Sequence, residues 1–514
     1  MRTSRTIVNL IYTLGSSLVL MLLGLVTRSL FVTNFDAFIP GYSDTIASLF
    51  TFFSVAEFGV GSVISYRLYE QIAARDVEQI SRYMALYKWA YRVIGLVIGV
   101  MAVVCVFFLP LLVVGQDVDW TTVYLIYALQ ALSTLSSYFL VTRRLLYTCT
   151  QQGYICTRID LFYNIATSLA RIAIALLWPN YLLYFGVTIL FNTLANLTVA
   201  LRYRRDFPEV HEVKVSLRDF KELGVFHDLR YYLVHRLSNT IYGSSDNLVI
   251  TRMRGAETVT LTGNYSTVST SVTNVCNKIM DSFAAAIGSI VYDKDAAASG
   301  HDRAVFWSMD LFSYLFGSFV AVAYACLFQP FITLWMGDRW LLPMGYVLLF
   351  AFNEYIGWNH RMVGSYRAVL GRFEEDQWYM VAAAILNLVL SFALIGPLGL
   401  AGVIAATVVA HIIMWIGRAR VVIRHYLPGY GWRYLGIQIA HLATLGLGYG
   451  LTRAACAAMP GGWPGMIAQV VVVCLIPNAV NLAAYGWTSD AAYLRERAKA
   501  ALGKLRALRK GGQG

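Results

Sequence analysis

Six polar residues recur every three or four positions between residues 260 and 290 of this 514-residue chain: Asn264, Thr267, Ser271, Asn274, Lys278 and Asp281. Such spacing places their side chains on one face of an α-helix, and at 1.5 Å per residue this face extends for about 25 Å. Amide, hydroxyl and charged groups in this arrangement can hold a polar ligand. The face therefore lines a water-filled cavity, or it forms a hydrogen-bonded seam with a neighbouring helix.

Ionisable residues also interrupt apolar stretches elsewhere in the chain. The arginines are Arg28, Arg67, Arg171, Arg252 and Arg361, and the carboxylates include Glu57, Asp246 and Glu354. Guanidinium groups bind phosphates through charge-assisted hydrogen bonds, so these arginines suit an anionic ligand. In the alternative, each cation pairs with a nearby carboxylate, as Lys278 can with Asp281 and Arg361 with Glu354.

The composition predicts a membrane protein. Hydrophobic residues make up 58% of the chain and charged residues only 14%, whereas soluble proteins carry about 25% charged residues. Because such a chain cannot hide its apolar surface from water, lipid must be its solvent. The net charge of +12 lies in the connections and does not indicate nucleic-acid binding, and the seven cysteines have no spacing typical of disulfides or zinc.

The apolar stretches predict about fourteen membrane-spanning helices. Their predicted bounds are 7–31, 44–68, 89–113, 120–142, 160–178, 181–201, 231–252, 260–290, 305–335, 342–366, 376–395, 398–422, 433–452 and 464–486. The first is too long for a signal-peptide core, so we expect it to be retained. The seventh and eighth are rich in polar and charged residues. Since ionisable groups at membrane depth are costly unless paired or hydrated, we expect those named above to be functional.

Basic residues predict the topology. With the amino terminus in the cytoplasm, the outside connections hold only Arg252, Arg254, Arg339 and Arg453, while nearly all other loop and terminal Lys and Arg residues lie inside. This asymmetry follows the positive-inside rule and places both termini in the cytoplasm. If either polar span did not cross the membrane, every later loop would lie on the opposite side. The distribution of basic residues therefore supports both spans.

The two halves of the chain are weakly related. Span one ends in LVTR at Arg28 and span seven ends in LVITR at Arg252, each before a polar helix that runs back inwards. Such parallel repeats are typical of transporters built from two lobes. We therefore predict an N-terminal lobe (1–201), a basic cytoplasmic linker (202–230), a C-terminal lobe (231–424), helices 13 and 14 (425–486) and a basic cytoplasmic tail (487–514). The linker is either an amphipathic helix on the inner leaflet or a solvated connection.

In this topology the cations form a file across the membrane. Arg28 and Arg252 lie toward the outside, Arg171 near the middle, and Arg67 and Lys278 toward the cytoplasm. A file of cations at several depths suits a pyrophosphate-bearing cargo. Alternatively, Arg67 and Lys278 extend their charged ends to the inner interface.

Several stretches resemble bacterial oligosaccharide (Wzx-like) flippases, a branch of the superfamily that also contains multidrug MATE exporters and the lipid II flippase. They are TSRTIVNLIYTLGSSLVLMLLGLVTRSLFV and FSVAEFGVGSVISYRLYEQIAARDVEQISRYMALYKWAYR, then QPFITLWMGDRWLLP and the segment that begins RMVGSYRAVLGRF. Their order is preserved over about residues 1–425.

The resemblance implies an all-α, polytopic, MATE-like fold with two pseudo-symmetric six-helix lobes and two C-terminal helices. It implies alternating-access transfer of an undecaprenyl-pyrophosphate-linked oligosaccharide from the inner to the outer leaflet of the bacterial cytoplasmic membrane, for cell-surface polysaccharide biosynthesis. Its partners would be membrane lipids and the polymerase and glycosyltransferases of the same pathway. Arg28, Arg67, Arg252 and Lys278 occupy candidate pyrophosphate-binding positions, although Glu57 has no Arg beside it.

Two other functions are weighed against this one. An ion-coupled, MATE-like multidrug exporter shares the fold, and the carboxylates Glu57, Asp246 and Glu354 would suit its cationic cargo. A membrane glycan polymerase or ligase would need a large outer loop, which is missing from the predicted topology, so we expect no enzyme. No G-x-x-x-x-G-K-[ST] motif occurs, so ATP is not the direct energy source. We expect no cofactor; a coupling ion, H⁺ or Na⁺, stays open, as does the glycan.

Overall fold

The computed structural model describes residues 2–57, 59–113, 118–216, 219, 225–291 and 301–511. Within these ranges the regular secondary structure is entirely helical. The chain is therefore an all-helical protein, as the apolar spans predicted. It forms two compact units: a first unit of residues 8–275, and a second unit of residues 276–514 together with residues 1–7. The lobe boundaries drawn from the sequence repeat stay a prediction.

Polar caps begin several helices in the N-terminal half. Asp76 Oδ1 accepts a hydrogen bond from the Gln79 amide, and the side chains of Asp119 and Asn180 cap two later helices in the same way. The helices up to residue 291 are α1 (Arg2–Asn34), α2 (Phe38–Phe53), α3 (Val60–Ala74), α4 (Val77–Val106), α5 (Leu109–Leu112), α6 (Trp120–Leu140), α7 (Arg144–Cys149), α8 (Gly153–Leu177), α9 (Tyr181–Asp206), α10 (Val225–Arg254) and α11 (Ala256–Val291).

A single residue, Gly399, joins two long antiparallel helices of the C-terminal half. Its φ of +60° lies in a region that glycine adopts readily and other residues avoid. The helices after residue 300 are α12 (His301–Met336), α13 (Met344–Asn359), α14 (Arg361–Val369), α15 (Phe373–Leu398), α16 (Leu400–His425), α17 (Gly431–Ala457), α18 (Gly462–Tyr485) and α19 (Ser489–Gly511). The tail predicted at 487–514 is thus largely the helix α19.

Nine helices of the described chain are long and apolar enough to cross a membrane, or ten if Phe38–Glu57 and Val60–Ala74 form one bent span. Their outward surfaces are apolar, with side chains such as Leu96, Val103 and Leu177 largely exposed. Because large exposed aliphatic surfaces need lipid, the protein is a multi-pass membrane protein.

Each of the fourteen predicted spans coincides with a helix or with two consecutive helices. The two polar spans are the long helices α10 and α11, which pass the length requirement but not the hydropathy requirement for a membrane span. The second predicted span is divided into α2 and α3, and the tenth into α13 and α14. Polar spans that nevertheless form helices of 30 and 36 residues must have protein or water beside them.

The basic linker packs onto the start of α4. Residues 207–216 are irregular after α9 ends. Lys88 pairs with Glu212, and Arg82 Nη2 lies 2.7 Å from Asp219 Oδ1. Over residues 207–216 the linker is therefore a docked connection, and this stretch is not the amphipathic helix of the first alternative.

Candidate functional site

The first element of the site is the break between α2 and α3. Residues Ser54–Glu57 form a 3₁₀ turn, Gly59 has a φ of +73°, and the two helices meet at 45°. The predicted second span, 44–68, has Glu57 at the centre of one helix, but in the structure this residue lies in the turn. Its carboxylate accepts a hydrogen bond of 2.6 Å from the Tyr138 hydroxyl on α6. The break thus turns a carboxylate toward neighbouring helices inside the first unit.

Arg28 joins three helices of the first unit. Only 8% of this residue is exposed. On α2, Asp44 Oδ2 lies 3.0 Å from Arg28 Nη1; on α11, Asn264 Oδ1 accepts from Arg28 Nε at 2.9 Å, and the Thr260 carbonyl accepts from Nη2 at 3.2 Å. The guanidinium is therefore held by one carboxylate and two neutral oxygens. We call Arg28, Asp44, Thr260 and Asn264 the Arg28 cluster.

A second arginine lies beside this cluster without a carboxylate partner in the described chain. The Arg171 guanidinium on α8 lies 4.7 Å from the ring centroid of Tyr184 on α9, a cation–π distance. That ring stacks at 4.4 Å on Phe31, which is one helical turn from Arg28. Arg171 Nε is buried and makes no hydrogen bond within the described residues. Two guanidinium groups thus approach one region that contains a single paired carboxylate, Asp44.

Hydrogen bonds continue from the Arg28 cluster between α2 and α10. The Thr45 and Thr251 hydroxyls lie 2.5 Å apart, and the Asn247 amide donates to Ser48 Oγ at 3.0 Å. These contacts form a polar seam, which we call the α2–α10 seam. The polar face of α11 makes a separate helix–helix contact at its Asn264 end, where Asn264 Oδ1 accepts from Arg28 Nε on α1.

Small residues permit the close approach of these helices. A Cβ atom on Gly263 would lie 2.5 Å from both Arg28 Nη2 and Asp44 Oδ2, and one on Gly41 would overlap the Ala256 carbonyl. Glycine is required at position 41, because a side chain there would meet backbone of α11, whereas at position 263 a side chain would displace the ends of the Arg28 and Asp44 side chains.

The other candidate residues of the first unit occupy separate positions. Arg252 is exposed in the last turn of α10, Asn274 is exposed on α11, and Arg67 on α3 and Asp246 on α10 are half-buried. Lys278, at the start of the second unit, lies on α11, and its side chain is outside the described part of the chain. Of the predicted cations, the first unit brings Arg28 and Arg171 to one region; the predicted roles of the rest stay predictions.

The second unit contains Glu354 and Arg361 at the junction of α13 and α14. Arg361 Nη1 donates to Asn277 Oδ1 at 2.7 Å, and its guanidinium lies 5.2 Å from the Trp358 ring. Glu354 is half-buried on α13. Helix α13 ends at Asn359, so these residues flank a break and do not follow one continuous helix.

Sequence reasoning missed Asp44 and Gly263. The predicted second span begins at Asp44, whereas α2 begins six residues earlier, at Phe38. A carboxylate 16 positions after Arg28, across a helical reversal, could have suggested the pair. No sequence signal distinguishes Gly263 from the other glycines, because its role depends on two side chains from different helices.

The sequence matches the model of one protein family, described as "polysaccharide biosynthesis protein", over residues 6–288. No curated protein gives a significant match. Among solved structures, the fold is similar to the lipid II flippase MurJ in an inward closed conformation, with a TM-score of 0.69, 13% identity, and coverage of 92% of this chain and 99% of that one.

Two multidrug transporters are also similar in fold. An inward-facing multidrug resistance MATE family transporter has a TM-score of 0.55 at 14% identity, over 78% of this chain and 94% of that one. A mutant form of the Vibrio cholerae MATE transporter VcmN has a TM-score of 0.52 at 13% identity, over 83% and 99%. The fold is therefore the one shared by MurJ and the MATE transporters.

Proposed function

This chain belongs to the polysaccharide biosynthesis protein family, and on that premise we propose that it is a flippase for a lipid-linked oligosaccharide. It moves an undecaprenyl-pyrophosphate-linked glycan from the inner to the outer leaflet of the bacterial cytoplasmic membrane, with both termini in the cytoplasm. The fold shared with the lipid II flippase MurJ supports this proposal at the level of architecture.

The observation that carries the proposal is the excess of guanidinium over carboxylate beside α1. Arg28 and Arg171 approach Tyr184 and Phe31 from two helices, and Asp44 neutralises only one positive charge. Buried arginine lacking a counter-ion is costly at membrane depth, so this region favours an anion. A pyrophosphate offers several oxygens to such a pair of guanidinium groups.

The cycle requires two arrangements of the helices around the cargo. In the proposed mechanism the α2–α10 seam opens to release the glycan outside, and the break between α2 and α3 lets α2 move separately. Arg28 exchanges Asp44 for the pyrophosphate, while the polyprenyl chain stays in lipid. Further cargo contacts are proposed for Arg67, Arg252, Lys278, Asn274, Glu57, Asp246, Glu354 and Arg361.

The test is leaflet transfer in proteoliposomes that contain a fluorescent undecaprenyl-pyrophosphate oligosaccharide. External quenching reports sidedness for wild type, Arg171→Leu and Arg158→Leu. Arg158 is a matched control, because it lies on the same helix with its guanidinium 5.4 Å from the Tyr154 ring. We expect Arg171→Leu to slow transfer about ten-fold or more and Arg158→Leu to leave it unchanged.

The competing function is an ion-coupled, MATE-like multidrug exporter. The fold shared with MATE transporters and the half-buried carboxylates Glu57, Asp246 and Glu354 favour it. Failure of wild type to transfer any of several lipid-linked glycans, combined with ion-driven efflux of a cationic dye, would replace the flippase with the exporter.

A further inference from the structure

The first unit contains a polar cavity of about 580 Å³ that the Arg28 cluster does not share. Helices α4, α6, α8 and α9 and the 3₁₀ turn after α2 surround it. Its lining includes Glu57, Ser133, Tyr138, Asp160, Asn164 and Asn192. The volume is within the roughly 300–1,000 Å³ of small-molecule sites. We call it the Asn164–Asn192 cavity.

Two amides make this cavity more than a packing gap. Asn164 on α8 and Asn192 on α9 each lie about 16 Å along their helix from its first residue, within membrane-spanning segments. Both side chains are exposed, and neither carboxamide has a hydrogen-bond partner among the described residues. Because such groups are not tolerated against lipid, they face water or a polar ligand.

The charges of the cavity select against anions. Arg144 donates to both oxygens of Asp160, at 2.6 and 2.8 Å, and its Nε donates to Asn196 at 3.0 Å. This pair is therefore neutral. Glu57, hydrogen-bonded to Tyr138, is the other charged residue of the lining, and Arg236 lies close to its turn, donating to Ser54 Oγ at 3.4 Å. The lining therefore offers a pyrophosphate no cation other than the paired Arg144, in contrast to the region of Arg28 and Arg171.

A metal cation is also a poor fit. Asp160 directs its two oxygens to Arg144, which leaves Glu57 as the remaining carboxylate of the lining. No group of three or more His, Cys, Asp or Glu side chains within the described ranges could hold a metal ion. The cavity is also far larger than a single ion, and it has room for a small organic ligand.

The lining matches a neutral polyhydroxyl compound. Carboxamides donate and accept hydrogen bonds, Ser and Tyr hydroxyls do the same, and Glu57 accepts. The Tyr91 and Tyr138 rings, 6.0 Å apart, add apolar surface for the C–H face of a sugar ring. A sugar presents hydroxyl groups that both donate and accept hydrogen bonds, beside an apolar C–H face, and therefore matches this combination of polar and aromatic side chains.

We propose that the Asn164–Asn192 cavity binds an uncharged saccharide unit of the transported glycan. The proposal rests on the flippase function, which it extends by separating the sugar site from the pyrophosphate site. In the predicted topology Asn192 lies near the middle of α9, whereas the lining residues of α6, together with Asp160 and Asn164 on α8, lie in the cytoplasmic halves of their helices. This is the side on which an inner-leaflet glycan would be loaded.

The test is direct sugar binding by the purified full-length protein in detergent. Saturation-transfer difference NMR would compare glucose, galactose and N-acetylglucosamine with the anionic sugar glucuronate. The test variant is Asn164→Leu with Asn192→Leu, which removes the donors and acceptors at similar side-chain volume. Asn478→Leu on α18 is the matched control, because Asn478 is exposed and bonds only within its own helix, to the Cys474 carbonyl.

Wild type and Asn478→Leu should bind at least one neutral sugar, glucuronate should bind more weakly, and the double variant should lose affinity about five-fold or more. An unchanged melting temperature shows that the double variant is folded. Equal binding by that variant, stronger binding of glucuronate, or no neutral-sugar signal from wild type would overturn the proposal.

Leaflet transfer separates this proposal from the flippase function. Sugar binding by a wild-type protein that transfers no lipid-linked glycan would reject the flippase and leave the sugar site standing. Efficient transfer by a wild-type protein that binds no sugar would support the flippase and reject the sugar site. With both functions intact, the double variant should slow transfer of the glycan-bearing lipid, and transfer at the wild-type rate would count against the cavity.

Discussion

Arg28 Nη1 and Asp44 Oδ2 form a 3.0 Å ion pair directly over Gly263, on a third helix. The pair joins α1 to α2, and the hydrogen bonds from Arg28 to Asn264 and to the Thr260 carbonyl join α1 to α11. A buried ion pair contributes little net stability, because desolvation offsets much of the attraction. In the proposed cycle the pair matters because an anionic ligand would replace the Asp44 carboxylate on Arg28.

The first prediction concerns Gly263. Gly263→Ala places a methyl group 2.5 Å from Arg28 Nη2 and Asp44 Oδ2, so we expect a loss of about 1–3 kcal/mol in unfolding free energy through overpacking. Thermal unfolding in detergent measures it. Gly24→Ala on α1 is the control, since its Cβ would meet nothing within 4 Å. Equal midpoints for the two variants would show that the three helices are not packed as described.

The second prediction concerns the α2–α10 seam. In a background without the natural cysteines, Thr45→Cys with Thr251→Cys should form a disulfide, because the two hydroxyls are 2.5 Å apart. If the seam opens in each cycle, oxidation stops leaflet transfer and reduction restores it. The control is Asn387→Cys with Thr407→Cys, a pair between α15 and α16. In the wild type, Asn387 Nδ2 donates to Thr407 Oγ1 at 3.1 Å. Undiminished transfer by the fully cross-linked seam variant would contradict a gating role.

The third prediction concerns the docked linker and pH. Hydrogen bonds from Arg82 and Ser216 lower the pKa of Asp219 to about 2. A carboxyl with a depressed folded-state pKa adds stability above its ordinary pKa of about 3.9, and this contribution is lost only as the pH falls through the folded value. The Ser216 amide donates to Asp219 Oδ2 at 2.8 Å, so its protection, measured as the exchange rate relative to the intrinsic rate at the same pH, should persist at about pH 3.

The variant Arg82→Gln removes the main cause of this shift. The pKa of Asp219 then rises toward its ordinary value, and protection of the Ser216 amide should disappear at higher pH than in wild type. Arg92→Gln, on the same helix α4, is the comparison. Identical pH profiles for wild type and Arg82→Gln would show that Arg82 does not hold the linker.

The fourth prediction concerns a buried ion pair of the second unit. Arg367 Nη2 lies 2.6 Å from Asp376 Oδ2, with 6% and 0% of the side chains exposed. Asp376→Asn leaves a buried charge without its counter-ion, so we expect a loss of about 3–5 kcal/mol. Arg367→Met with Asp376→Leu should recover most of it, because both charges are removed. A double variant less stable than Asp376→Asn would contradict this account, with thermal unfolding as the measurement.

Local sequence was sufficient to predict where the helices lie. Each predicted span coincides with one helix or with two consecutive helices. The two polar spans, which the distribution of basic residues in the loops predicts, correspond to α10 and α11. The periodicity of apolar residues and the tendency to form a helix depend on residues that are close together in the sequence. They can therefore be predicted without knowledge of the tertiary structure. The position of Glu57 was harder, because a 3₁₀ turn and Gly59 break the helix within an apolar run.

The residue pattern alone was enough to predict an all-helical membrane protein, the positions of its helices and the arginines within them. The pairing of Arg28 with Asp44 became visible only once the helices were packed together. Asp44 meets Arg28 from 16 residues away, and Asn264 meets it from 236 residues away. The same holds for Asn164 and Asn192, which face one cavity from two helices. Pairings of this kind depend on how helices pack against one another, and no local pattern of residues predicts which helices come into contact.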